Sequence, residues 1–550
     1  MAARSSIDPI TLEVFNHRLS AIAEEMGVAL CRSSYSANIK ERRDFSCALF
    51  DAAGEMIAQA AHIPVHLGST PLSVRAAIAH QPMDRGDVVV LNDPYAGGTH
   101  LPDVTVVAPV FVGRRLVGYV ANRAHHADIG GMAPGSMPLA TEIYQEGFRL
   151  PPVRLVRRGR IVDDVLALFL ANTRVADERR GDLLAQIAAL RVGENRLSEL
   201  VRRDGMALTR RAMAALQDYS ERLMRATIGR LPPGEYRGVD WLDDDGMGKS
   251  RIRIAVTIRL TRGRAHVDFG GTDAQVRGGV NANLAVTLAS VYYVFKTLAE
   301  MPIPANAGLM RPIRVVAPAG TVVNASLPAA VAGGNVETSQ RIVDVIFRAL
   351  AKALPERIPA ASCGSMNNIA FGGFDPVRCR EFSYYETVAG GAGAGPRGHG
   401  CSAVHTHMTN TMNTPVEALE TDVPVRVIRY AIRHGSGGRG LHRGGNGVWR
   451  ELQFLADAQV TLLTDRRTTK PFGLSGGEPG RAGANRLFRS GRVSRLPGKT
   501  SFWVRQGERL QVLTSGGGAW GIPQAPPLTL AALPAGGAKA LRSPFSAGKH

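Results

Sequence analysis

The chain has 550 residues, of which 45% are hydrophobic and 21% charged. This composition is typical of a globular protein and excludes a disordered or fibrous one. The formal net charge of +19 comes mainly from scattered arginines, without a basic, aromatic-rich platform, so we expect no nucleic-acid partner. The sequence also lacks a long apolar run and a signal-peptide pattern, which predicts a cytoplasmic protein without membrane contact.

The first 230 residues predict one capped helix, five strands and a long helical segment. Asp8 precedes Pro9 and an apolar repeat at helical spacing, the pattern of an N-capped helix. Runs of alternating residues around short turns predict two hairpins and one further strand. The predicted strands are 46–50, 55–59, 88–92, 104–111 and 116–123, and the helical segment covers about 172–230.

From residue 231 onward the pattern changes, and we expect a second domain there. A Gly-rich, polar region at 364–414 separates two groups of predicted elements. These are strands at 252–260 and 265–269, helices near 285–300 and 339–353, and strands at 425–432 and 448–455. The sequence thus predicts an α+β protein with mixed or antiparallel sheets and more than one domain: residues 1–230, 231–520 and a loosely ordered, low-complexity tail at 521–550.

Potential metal ligands are dense at both ends of the second hairpin. If 104–111 and 116–123 pair around Gly113 and Arg114, Asp103 must face Ala124 and His125. His100 lies one short loop away. Two imidazoles and a carboxylate suit Zn²⁺, Mn²⁺ or Fe²⁺, and an open position on such an ion activates water or polarises a carbonyl. The alternative is that these residues only cap loops through hydrogen bonds.

Other polar residues have weaker patterns. Asp44 stands at the mouth of the first hairpin, as a further ligand or as a surface ion-pair partner of its basic neighbours. We name His126 and Glu146 as candidate catalytic residues, with an exposed carboxylate as the alternative for Glu146. His62 and His66 suggest substrate contact or structural bonding, because the proline between them disfavours a shared helix face.

Two further patterns concern strands and nucleotides. His405 and His407 point to one face if their segment is a strand, and we prefer a polar strand beside the active site to a second ligand pair. The Gly-rich runs 390–395 and 246–250 lack the spacing of a phosphate-binding loop. We therefore expect no nucleotide on this chain.

Several motifs together resemble the hydantoinase B family, from about residue 7 to 520. They are Asp8–Phe15, Arg43–Ser46, Asn92–Tyr95, Gly97–Asp103, His125–Gly131, Glu142–Gly147, Val404–Thr411, Asn413–Glu420 and Tyr430–Gly447. The family includes B subunits of ATP-dependent hydantoinases and caprolactamases, the C-terminal half of 5-oxoprolinases and, more distantly, an acetone carboxylase subunit.

The resemblance implies a metal-dependent B subunit that acts on a small cyclic amide. A separate A-type subunit would bind ATP and phosphorylate the substrate oxygen, so the expected assembly is a hetero-oligomer. The metal ligands then map to His100, Asp103 and His125, with Asp44 as the fourth. Acetone carboxylation and a non-catalytic scaffold remain the alternative functions. After Gly521 the chain departs from the family's usual pattern, which puts activity or assembly in doubt.

Overall fold

The structure is a computed structural model that describes residues 7–60 and 62–523. Within these residues, ten α-helices combine with three antiparallel sheets and one mixed sheet. This architecture confirms the predicted α+β class. Residues 524–550, most of the predicted tail, lie outside the described residues.

The first sheet is antiparallel and has seven strands. Its order is β2-β1-β5-β4-β3-β6-β7, so the two predicted hairpins are neighbours through β1 and β5. The strands are β1 (Phe45–Asp51), β2 (Met56–Gln59), β3 (Val88–Leu91), β4 (Asp103–Val112), β5 (Arg115–His125), β6 (Val153–Arg157) and β7 (Arg160–Ile161).

Helices cover both faces of this sheet. Side chains that alternate along a strand point to opposite faces, so Val106 packs in one core and Val107 in another. On one face lie α1 (Pro9–Ser33) and α5 (Ala176–Asp204), and on the other lies α3 (His66–His80). Because both faces are buried, polar side chains at the ends of β4 and β5 are enclosed rather than solvated.

The first helix forms as predicted. The Asp8 carboxylate accepts a hydrogen bond from the main-chain N–H of Thr11 at 2.9 Å, and Pro9 occupies the first helical position. Phe15, Leu19 and the apolar residues that follow at helical spacing are buried. This capped helix packs against α5 and holds the start of β1 in place.

The long helical segment is two helices rather than one. After α5, Gly205 adopts φ 84° and ψ 146°, and α6 (Met206–Gly229) begins at the next residue. A residue with a β-carbon is strained at this positive φ, so glycine marks the break. The remaining helices are α2 (Ala37–Lys40), α4 (Asp163–Ala171), α7 (Leu284–Thr297), α8 (Ala307–Met310), α9 (Ser339–Leu350) and α10 (Val416–Asp422).

Three further sheets follow residue 231. The second is mixed, with β8 (Gly234–Asp244), β9 (Ser250–Thr261), β10 (Arg264–Asp268) and β11 (Ile313–Val316). The third contains β12 (Asn368–Asp375), β13 (Arg380–Thr387), β16 (Ala458–Leu463) and β19 (Lys499–Val504). The fourth contains β14 (Val425–Arg433), β15 (Gly447–Phe454), β17 (Ala484–Arg489), β18 (Arg492–Leu496) and β20 (Arg509–Leu513).

The two largest hydrophobic cores extend across the predicted boundary at residue 231. One core joins Ile63 and Met137 to the second sheet, and another joins Val331 to the helices of the first sheet. The domain limits inferred from the sequence stay a prediction.

The Gly-rich region differs from the sequence expectation in two ways. It contains the strands β12 and β13, which its polar composition concealed. Its glycines allow close backbone packing, since a β-carbon at Gly391 would lie 2.0 Å from the Gly445 carbonyl oxygen. The segment with His405 and His407 is not a strand, and His407 has a φ of 60°. The expectation of a polar strand there is wrong.

Candidate metal centre

The β4–β5 hairpin brings its two ends together as predicted. Asp103 pairs directly with His125 across the antiparallel ladder. His100 lies just before β4, where the main-chain N–H of Asp103 donates to its carbonyl oxygen at 3.1 Å. The three side chains therefore converge through local geometry.

These three side chains form a buried set of potential ligands. One nitrogen or oxygen atom from each of His100, Asp103 and His125 lies within 4.8 Å of the other two. All three residues are at most 3% exposed. Both nitrogens of His100 and Nε2 of His125 have no hydrogen-bond partner within the described part of the chain. A buried nitrogen without a partner costs about 1–3 kcal/mol, so the arrangement fits a bound cation.

The ionisation of the set suits a cation as well. Burial by itself raises the pKa of Asp103, but His100 and His66 outweigh it and hold this pKa well below its ordinary value. Burial and the neighbouring His100 lower the pKa of His125 well below its ordinary value. An ionised carboxylate and a neutral imidazole are the forms that coordinate divalent metals.

Surrounding groups orient the candidate ligands. The Thr99 hydroxyl donates to Asp103 Oδ2. The side-chain amide of Asn38 lies 3.1 Å from His125 Nδ1, and the Tyr385 ring stacks on the same imidazole at 4.5 Å between centroids. Such contacts hold a ligand ring in one orientation.

Asp44 lies beside this set but is not one of the three converging ligands. Its main-chain carbonyl oxygen accepts from the His125 N–H at 3.0 Å, and its carboxylate is 3.8 Å from Arg42 Nη2. Burial raises the pKa of Asp44, an effect that Arg42 partly offsets. Asp44 is thus buried, unlike a surface ion pair, and its ligand role stays a prediction.

His66 is a member of the centre that the sequence did not single out as such. Its Nε2 lies 3.4 Å from Asp103 Oδ2, and its Nδ1 lies 2.8 Å from the Ser46 hydroxyl. His66 is the first residue of α3, so His62 and His66 do not share a helix face. Sequence spacing misses this contact because α3 and β4 meet only through tertiary packing.

A small cavity of about 20 Å³ lies next to the ligand set. Asp103, His125, Asp44 and His66 all contribute to its wall. A volume of about 10–15 Å³ already admits one water molecule. The cavity therefore has room for a water or a single ion.

The structure places the two candidate catalytic residues away from this cavity's wall. His126 donates from Nε2 to the Gln186 side chain at 3.0 Å and so faces α5. Glu146 accepts from the main-chain N–H groups of Val331 and Ala332 at 2.8 Å each. Burial raises the pKa of Glu146 to about 8. Glu146 is therefore not an exposed carboxylate, and both catalytic roles stay predictions.

The structure also bears on membrane-spanning helices and on disulfide bonds. No helix in the described ranges is long and apolar enough to cross a membrane. The five cysteines are all free, and Cys47 and Cys363 are buried.

Comparison with known proteins shows what the chain resembles. The sequence model of the Hydantoinase B/oxoprolinase family matches residues 8–523. An uncharacterised protein of Methanocaldococcus jannaschii is 40% identical, with 94% of this chain and 91% of that protein covered. A Pseudomonas protein described as the B component of a D-/L-hydantoinase is 33% identical, with coverages of 94% and 90%.

Longer relatives and solved structures complete the comparison. The Arabidopsis thaliana 5-oxoprolinase 1 is 40% identical over 94% of this chain, which spans only 42% of that protein's length. The ATP-dependent caprolactamase from Pseudomonas jessenii superposes with a TM-score of 0.88 at 33% identity, covering 94% and 92% of the two chains. An acetone carboxylase structure has a TM-score of 0.87 at 18% identity, which shows the shared fold alone. The chain belongs to the Hydantoinase B/oxoprolinase family.

Proposed function

We propose that this chain is the metal-dependent B subunit of an ATP-dependent hydrolase that opens small cyclic amides. The observation that carries the proposal is the buried set of His100, Asp103 and His125 with its unpartnered nitrogens. Relatives named 5-oxoprolinase, hydantoinase and caprolactamase support the substrate class: 5-oxoproline, a hydantoin or another lactam.

A divalent ion of the Zn²⁺, Mn²⁺ or Fe²⁺ type suits this set of two imidazoles and one carboxylate. We propose Asp44 as its fourth ligand, because the carboxylate is buried and faces the same cavity. When bound, such an ion supplies Lewis-acid chemistry: it activates water or polarises a carbonyl.

The chain's own groups prepare this site. The negative charge of Asp103 is held between His66 and His100, both 3.4 Å away. The Asn38 side-chain NH2 group lies 3.1 Å from His125 Nδ1, and the stacked Tyr385 ring keeps the imidazole from turning.

The reaction needs a second component. An amide resists water because of resonance, and phosphorylation of its oxygen removes that resonance. We assign this phosphorylation to an A-type subunit that binds ATP, which makes the functional unit a cytoplasmic hetero-oligomer. Overall, one water opens the ring C–N bond and a second converts ATP to ADP and phosphate.

The test is reconstitution. The chain is co-expressed with the A-type subunit, and ATP consumption is measured with hydantoin, 5-oxoproline and caprolactam in turn. We expect ring opening coupled to ATP hydrolysis with at least one of them, and about one divalent ion per chain by elemental analysis. Absence of bound metal together with absence of coupled turnover in the assembled complex refutes the proposal.

A further inference from the structure

A second, larger pocket lies beside the metal centre. It has a volume of about 520 Å³ and opens between α1, the segment before β1 and the loop at 410–412. Ile63 lines both this pocket and the small cavity at the ligand set. Phe45, which follows Asp44, also lines it. We call this space the α1 pocket.

The small cavity and the α1 pocket differ in volume, and this difference indicates what each can bind. The small cavity of about 20 Å³ admits a water or an ion but no organic molecule. Small-molecule pockets typically have volumes of about 300–1,000 Å³, and the α1 pocket falls in this range. A substrate that reacts at the metal centre therefore needs the adjoining space for the rest of its atoms.

Two arginines give the α1 pocket a positive character. Arg32 from α1 and Arg43 from the turn before β1 both line it. Both side chains are exposed, and neither guanidinium has an ion-pair or hydrogen-bond partner within residues 7–60 and 62–523. The carboxylate on the pocket wall, Glu24, lies 3.7 Å from His62 Nε2. Guanidinium groups bind phosphate oxygens well, often through two parallel hydrogen bonds.

The backbone conformation at Arg43 directs three successive side chains to three places. Arg43 has φ 53°, a left-handed conformation that costs a non-glycine residue about 1–3 kcal/mol. Arg42 on one side is buried and donates to the Tyr385 carbonyl oxygen at 3.0 Å. Asp44 on the other side faces the small cavity. Arg43 is thus held at the pocket, one residue from the proposed metal ligand.

His62 adds a hydrogen-bond donor to the wall. Its Nδ1 accepts from the Cys47 N–H at 3.3 Å, so the proton of the neutral ring lies on Nε2. Gly27 makes room for this ring, because a β-carbon there would lie 2.6 Å from His62 Cε1. The pocket therefore combines two unpaired cations with one imidazole N–H, which faces the Glu24 carboxylate at 3.7 Å.

We propose that the α1 pocket is the site for the phosphorylated substrate, with the phosphoryl group bound by Arg43 and Arg32. This inference rests on the proposed function and names the part of the site that recognises the activated amide. It follows that free inorganic phosphate, the product, binds in the same place. Arg43 is the principal phosphoryl-binding residue because the adjacent Asp44 lines the small cavity at the ligand set, whereas Arg32 lies on α1.

The experiment measures inorganic phosphate binding to the metal-loaded chain by calorimetry, without the A-type component or turnover. The variant is Arg43→Asn, since asparagine tolerates positive φ and the fold is preserved. Arg32→Gln is a second variant on exposed helix surface. The matched control is Arg114→Gln, an exposed arginine in the β4–β5 turn. Acetate is titrated in parallel, as a carboxylate that could use the same cations.

We expect Arg43→Asn to weaken phosphate binding at least about 10-fold and Arg32→Gln to weaken it less, with Arg114→Gln unchanged and acetate weaker than phosphate. Equal phosphate affinity in wild type and both pocket variants overturns the assignment, as does tighter binding of acetate than of phosphate. The phosphate-binding measurement does not depend on turnover. If the reconstituted complex is inactive but phosphate binding still depends on Arg43, the proposed function is refuted and the assignment of the α1 pocket is retained.

Discussion

Two regions of this protein bury polar side chains but differ in how those side chains find interaction partners. The first is the metal centre, and the second is a cluster of charges where the second and third sheets meet α9. We call this cluster the ionic network: Asp240, Asp344, Asp465, Arg341, Arg466 and Lys499. All six side chains are at most 6% exposed.

In the ionic network every charge has an opposite charge within hydrogen-bond distance. Asp465 contacts Arg341 and Lys499 at 2.9 Å each. Arg466 contacts Asp240 at 2.9 Å and Asp344 at 2.8 Å. These contacts join β8, α9, β19 and the segment after β16. Three positive and three negative groups thus balance one another's charge without a ligand, and only Arg341 Nε, Asp344 Oδ1 and Arg466 Nε lack a hydrogen-bond partner within the described residues.

The metal centre lacks this balance. Its imidazoles leave nitrogen atoms without hydrogen-bond partners in the described part of the chain, although His100 and His125 are equally buried. Charge pairing therefore distinguishes the two regions. A buried side chain that the chain pairs with an opposite charge stabilises the fold, and one with both nitrogens left unpartnered, as in His100, is available to a ligand from outside.

The largest expected effect comes from the unsatisfied region. His100→Ala removes one of three converging ligands, so we expect ATP-dependent turnover of the reconstituted complex to fall by at least about 10³-fold and bound metal to be lost. Thermal unfolding followed by circular dichroism should show a folded chain. The exposed His80→Ala is the matched control, and retention of metal and turnover by His100→Ala would refute the ligand assignment.

The ionic network should respond in stability instead. Asp465→Ala leaves Arg341 and Lys499 buried without their shared carboxylate, at a cost of about 3–5 kcal/mol in the free energy of unfolding. Urea denaturation measures this cost, and metal content per folded chain should stay unchanged. Asp457→Ala, on a turn before β16, is the control; an Asp465→Ala chain as stable as wild type would contradict the structural role.

Glu146 is intermediate between the two regions. Its Oε1 accepts hydrogen bonds, but its Oε2 has no hydrogen-bond partner among the described residues. Burial raises its pKa from 4.5 to about 8. Between these values the unfolded chain has released this proton and the folded chain has kept it, so rising pH favours unfolding. Glu146→Gln should therefore reduce the loss of stability from pH 5.5 to 7.5 by about 2–3 kcal/mol.

Denaturant titrations at several pH values test this prediction. Glu142→Gln is the neighbouring control, because this carboxylate is only partly buried. Identical pH profiles for wild type and Glu146→Gln would show that Glu146 is ionised in the folded chain at neutral pH.

We expect the smallest effect from a residue that orients a metal ligand but does not bind the metal itself. Asn38→Ala removes the amide that contacts His125 Nδ1 and leaves the nitrogens of the set in place. We expect metal affinity to fall about 10–100-fold, with the bound stoichiometry unchanged at saturation. Competition with a chelator measures the affinity. Asn16→Ala, at a partly exposed position of α1, is the control, and an unchanged affinity in Asn38→Ala would remove Asn38 from the site.

Local parts of the fold were predictable because their causes are local. Asp8 and Pro9 start α1 through a cap that needs only the next three residues. The β4–β5 turn fixes the register of its hairpin, and Asp103 and His125 must then face each other. The candidate ligand set followed from that register and from the short loop to His100.

Other parts were not predictable for an equally physical reason. The strands β12 and β13 lie in a Gly-rich stretch, where composition favours loops and only pairing with β16 fixes an extended chain. The break between α5 and α6 depends on the conformation of Gly205. The stacked Tyr385 and the contact of His66 with Asp103 join segments far apart in sequence.

Local sequence patterns were therefore sufficient to predict the α+β class, the first helix, the hairpins and the pairing of Asp103 with His125. Each depends on residues within one hairpin or one helix turn. Tertiary packing was needed to show that His66 and Asn38 complete the surroundings of the centre, that His126 and Glu146 lie outside its cavity, and that the α1 pocket adjoins it. These relations depend on how helices pack on a sheet buried on both faces, which no local pattern encodes.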